Sequence, residues 1–102
     1  MIIKVQNAQE FRDAIKEGKV LVDFYADWCG PCKMQGPVLE QYDAGSPKAK
    51  IVKLNVDMLP DLAGEYGVYS IPTLILFVNG AISAKNVGFL PLSPLTRFID
   101  GH

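Results

Sequence analysis

Short apolar runs alternate with stripes at helical spacing along this chain, and glycine and proline punctuate them. Val20-Leu21-Val22-Asp23-Phe24-Tyr25-Ala26 is apolar on both alternating faces, which predicts a strand at the centre of a covered sheet. Asp23 is the anomaly within it. Ile51-Val52-Lys53-Leu54-Asn55-Val56 predicts a second strand. Leu74-Ile75-Leu76-Phe77-Val78, the turn Asn79-Gly80 and Ala81 to Val87 predict a hairpin, because Asn-Gly supplies the positive φ of a primed turn.

Between these runs the period changes to that of a helix. Asn7 followed by Glu10 is a capping pattern, and Phe11, Ala14 and Ile15 form a stripe that Gly18 ends. From Pro31 to about Ala44, Met34, Val38, Leu39 and Tyr42 recur on one face, with Pro37 expected to kink the helix and Gly45-Ser46-Pro47 to end it. Pro60 to Tyr66 predicts a short helix closed by Gly67. Ser93 and Pro94 start a last one through about Asp100, with Leu95, Phe98 and Ile99 facing inward. Two strands separated by a helix imply a parallel crossover, so with the hairpin the sheet is mixed.

Composition narrows the function. At 102 residues and 49% hydrophobic content, one domain spanning 1–102 is expected, with a core that needs neither a disulfide scaffold nor a metal. Net charge is −1 with acids and bases interspersed, which offers no field for nucleic acid or an anionic membrane. No apolar run approaches the roughly 18 residues of a membrane span, and Met1 leads into Ile2-Ile3-Lys4-Val5 without a signal-sequence pattern; a cytoplasmic location is expected.

The chemistry lies in Trp28-Cys29-Gly30-Pro31-Cys32-Lys33, which holds both cysteines of the chain. Such a pair, after a strand and opening a helix, reads as a redox dithiol. A helix starting near Pro31 sets Cys29 at its mouth and Cys32 in its first turn. Unpaired backbone N–H groups and the helix dipole there favour a thiolate by roughly 0.3 to 2 kcal/mol. A disulfide across so short a loop removes only about 2 kcal/mol of unfolded-chain entropy, so it is a poor staple. Zinc usually needs four ligands, and His102 is the only other soft one, so no metal site is expected. Asp23, an acid in a covered strand, should have its pKa raised by burial; a structural aspartate, hydrogen-bonded and paired with Lys53, is the alternative.

Val22-Asp23-Phe24-Tyr25-Ala26 before Trp28-Cys29-Gly30-Pro31-Cys32-Lys33, then Ile71-Pro72-Thr73, then Asn79-Gly80 and Val87-Gly88, resemble the thioredoxin family over essentially the whole chain. The resemblance implies an α/β thioredoxin fold, a mixed central sheet of about four to five strands flanked by about four helices. It implies a general protein-disulfide reductase in which Cys29 is the exposed nucleophile and Cys32 the resolving thiol. Asp23 would be the general acid–base for Cys32, with Lys53 tuning it. Pro72 would be cis beside the dithiol, keeping metals off it, while the chain around Ile71 pairs with substrate backbone. Trp28, Gly30, Pro31, Ile71, Pro72, Val87 and Gly88 would contact the substrate. The partners implied are disulfide-containing target proteins and a separate thioredoxin reductase, dependent on NADPH or ferredoxin. No bound cofactor is implied, and a monomer is expected. A disulfide oxidase or isomerase, or a binding subunit independent of redox chemistry, are the alternative functions.

The chain departs from the family pattern at Gln35-Gly36-Pro37, where an apolar residue and alanine usually precede the proline; a looser helix is expected there. Asp27 adds negative charge beside Trp28. Asp57 and Asp61 read as helix N-terminal charges.

Overall fold

The computed structural model describes residues 1–102. In chain order the elements are β1 (Ile2–Lys4), α1 (Ala8–Ile15), β2 (Lys19–Tyr25), α2 (Gly30–Ala44), β3 (Lys50–Asn55), α3 (Pro60–Glu65), β4 (Thr73–Val78), β5 (Ala81–Val87) and α4 (Leu92–Asp100). The strands form one sheet in the order β1-β3-β2-β4-β5. β1 and β2 run parallel to β3, and β4 is antiparallel to both β2 and β5. β2 is thus the central strand, as its two-sided apolarity requires. β1 is a strand that the hydrophobic pattern did not single out.

The sheet divides the interior in two. Val20, Val22 and Phe24 point to the side where Phe11, Ile15 and Leu62 of α1 and α3 pack. Leu21 points to the other, with Leu39 of α2 and Leu95 and Ile99 of α4. Strand parity therefore puts Asp23 on the α2 face with Leu21. Lys53 is register-paired with Asp23 and shares that face, since its neighbours Val52 and Leu54 fill the opposite side.

Local signals act largely as expected. Asn7 Oδ1 accepts from Glu10 N at 2.9 Å at the start of α1. Asn79 and Gly80 take φ values of 50° and 85°, the paired positive angles of a primed hairpin. α2 continues through Pro37 and ends at Gly45, where the expectation placed its stop. Ser93 does not open the last helix: Pro91 is its N-cap, and Ser93 Oγ accepts from Arg97 Nη1 at 2.8 Å inside the first turns. No helix is long and apolar enough to cross a membrane.

Candidate functional site

β2 ends at Tyr25, and the chain turns through Asp27 and Trp28 into α2, so both sulfurs sit where the central strand hands over to a helix. Cys29 is the N-cap of α2, with extended backbone, and its Sγ accepts from Cys32 N at 3.2 Å. Pro31 occupies the first turn, where its missing N–H costs nothing. Cys29 and Cys32 are joined in a disulfide with Cα atoms 5.2 Å apart. The sulfur is therefore its own helix cap, and the donor it faces would also stabilise negative charge on it.

One implied property needs correction. Cys29 is not exposed here: Cys29 and Cys32 are 4% and 5% accessible, because the closed pair packs with Ala26 and is covered by Tyr25, Val56 and Ile71. Cys29 Sγ lies 3.7 Å from Ile71 O. The Ile71–Pro72 peptide is cis, and Pro72 O accepts from Gly88 N at 2.8 Å, which brings these distant segments to the dithiol. Pro72 itself is buried, whereas Gly30, Pro31 and Val87 are exposed and Ile71 and Gly88 half-buried. Gly88 holds φ at +105°, a conformation L side chains rarely adopt.

Trp28 is 69% exposed, and its Nε1 donates to Asp57 Oδ2 at 2.9 Å. Asp57 is thus no mere helix-terminal charge but the group that orients the indole. Tyr69, on the loop before Ile71, is 89% exposed, and Met58 next to Asp57 is 55% exposed. Composition alone gives no signal for the exposure of either.

Asp23 is fully buried, and neither carboxyl oxygen has a hydrogen-bond partner. Burial pushes its pKa from 3.8 to about 7, with the Lys53 charge pulling the other way. The Lys53 pairing of the structural alternative is not formed: Lys53 makes no ion pair with Asp23, and its Nζ sits 4.7 Å above the Tyr25 ring. A cavity of about 260 Å³ reaches this region, lined by Tyr25, Asp27, Cys32, Gly36 and Lys53 among others. Asp23, Lys53 and Cys32 thus lie toward the α2 side of the sheet. No three His, Cys, Asp or Glu side chains are grouped to hold a metal.

The unusual Gln35 also differs from expectation. Rather than loosening α2 it is fully buried, donating from Nε2 to Leu90 O at 3.0 Å and accepting from Leu90 N at Oε1 at 2.8 Å. Its amide ties the helix to the loop after β5.

The thioredoxin family profile matches residues 2–101. A thioredoxin of Bacillus subtilis is 46% identical over 103 residues, covering 100% of this chain and 99% of its own. One of Staphylococcus aureus is 49% identical over 102 residues, covering 99% of this chain and 97% of its own. Among solved structures, oxidized mitochondrial thioredoxin 3 of Saccharomyces cerevisiae superposes with a TM-score of 0.89 at 40% identity, covering 99% of this chain and 95% of that one.

Proposed function

From the premise that the chain belongs to the thioredoxin family, we propose that Cys29 attacks the disulfides of target proteins and that Cys32 resolves the resulting adduct. The protein is a dithiol–disulfide oxidoreductase with Cys29–Cys32 as its redox-active pair, and its activity is protein-disulfide reduction. In the first step the Cys29 thiolate bonds to one sulfur of the target. The target's S–S bond breaks, and its other sulfur leaves as a thiolate that takes up a proton. In the second step Cys32, having lost its proton to Asp23, attacks Cys29 Sγ. The intramolecular disulfide forms and the second target thiolate departs. Two electrons have passed from the pair to the target.

The carrying observation is the closed Cys29–Cys32 disulfide at the N-terminus of α2. Helix N–H groups there support an anionic sulfur, and the raised pKa of Asp23 suits a base that must accept and return a proton near neutrality. The Trp28, Gly30, Pro31, Ile71, Val87 and Gly88 surface gives an extended target chain apolar contact and open backbone, with Pro72 supporting it from beneath. Lys53 limits how far burial raises the acid. A separate reductase, drawing on NADPH or ferredoxin, would recharge the pair without a cofactor bound to this chain. A reducing cytoplasm is the setting that a single reversible pair suits.

Trapping tests the division of labour. Cys32→Ser should accumulate a mixed disulfide with a target protein through Cys29, and Cys29→Ser none; an adduct formed through Cys32 instead would reverse the roles. A strongly oxidising potential for the pair would assign it to disulfide formation.

A further inference from the structure

Burying a primary amide is unfavourable unless both of its ends find partners. Gln35 is fully buried, and a single residue 55 positions away, Leu90, meets both ends. The need is mutual. Leu90 lies outside regular structure, and no backbone group pairs with its N–H or C=O. An apolar side chain at 35 could fill the space but would leave both groups of Leu90 unmet.

The position of this clasp gives it meaning. Gln35 follows Cys32 by three residues and so stands one turn along the helix that carries both sulfurs. Leu90 follows Val87 and Gly88, which border the target-facing surface. Gly88 N donates to Pro72 O at 2.8 Å, and Asn86 Nδ2 donates to Gly88 O at 3.1 Å. Both ends of the Gly88–Leu90 segment are therefore fastened, one to the Pro72 backbone beside the sulfurs and one to the sulfur-bearing helix. Without Gln35 the second fastening is gone.

We propose that Gln35 is a positioning residue for protein targets: its amide holds the Val87–Leu90 border in register with the helix bearing Cys29 and Cys32. This rests on the reductase reading above. A bulky target must lie across that border while its sulfur meets Cys29, whereas a small disulfide needs only the sulfurs. The clasp should therefore govern the binding of large substrates and leave thiol exchange itself unchanged.

The test compares wild type, Gln35→Leu and Gln35→Glu in the reduction of insulin and of dithiobisnitrobenzoate, with dithiothreitol supplying electrons. Gln35→Leu is expected to raise KM for insulin at least about five-fold, equivalent to about 1 kcal/mol, with kcat/KM for the small disulfide unchanged. In Gln35→Glu the ionised carboxylate keeps an acceptor for Leu90 N but has no donor for Leu90 O; protonation restores one. Its insulin KM relative to wild type should fall toward one as pH drops from about 8 to about 5, a rescue that serves even if the leucine variant does not fold. An unchanged insulin KM in Gln35→Leu, an equal loss with both disulfides, or a pH-independent ratio in Gln35→Glu would overturn the proposal. If wild type reduces neither disulfide, the reductase reading itself fails.

Discussion

Replacing Asp23 by asparagine should stabilise the oxidised protein, and increasingly so as pH rises from about 4 to about 7. The carboxyl is fully buried without hydrogen-bond partners, and its pKa rises from 3.8 to about 7 on folding because burial penalises the charge. The folded state then holds this proton more tightly than the unfolded chain. Its contribution to stability is intact below about pH 3.8, declines as pH climbs, and is lost above about 7. At about 1.4 kcal/mol per pH unit, the interval amounts to about 4 kcal/mol. Asparagine has nearly the same shape and no charge, so its own cost of burial is the same at every pH. Guanidinium unfolding of both oxidised proteins, followed by fluorescence and circular dichroism from about pH 4 to 8, should show the gap between them widening by about 4 kcal/mol with equal denaturant slopes. All other titrating groups are common to the pair and cancel. A gap constant to within about 1 kcal/mol would refute the claim that burial keeps this acid neutral.

Two further substitutions probe the rim of the site. Gly88→Ala forces an L side chain to φ near +105° although a Cβ there meets nothing within 4 Å, so backbone strain alone should cost about 1 to 3 kcal/mol, read as a lower denaturant midpoint. Asp57→Ala removes the acceptor of the Trp28 indole. Trp28 is the only tryptophan, so its fluorescence anisotropy should fall, while stability changes by no more than about 1 kcal/mol.

What the sequence made legible follows the range of the interactions involved. The capping of α1, the Asn79–Gly80 turn, the Pro31 start of α2 and the two-sided burial of β2 are set by neighbours a few positions apart, and each was readable in advance. β1 was not, because Ile2–Lys4 gains its identity only by pairing with Ile51–Lys53 of β3. The Asp57 contact with Trp28 spans 29 positions and the Gln35 contact with Leu90 spans 55. A polar residue in a helix reads as a surface residue or a defect until its partner is known. Ser93 shows the local rule failing: the serine lies one residue inside the helix and serves Arg97 instead. The exposed nucleophile implied by the family resemblance differs for another reason, since both sulfurs pack under Tyr25, Val56 and Ile71, contacts that join segments far apart in the chain.

The outer strands carry a last implication. β1 offers only three residues, and the β4–β5 ladder loses register between Leu76 and Phe77, while Lys85 of β5 reaches across to the carbonyls of Tyr66 and Gly67. Short, kinked and charged borders are poor templates for sheet extension by a foreign chain. A molecule with such borders resists being lengthened into an aggregate by a passing strand, even though it leaves its one tryptophan largely bare.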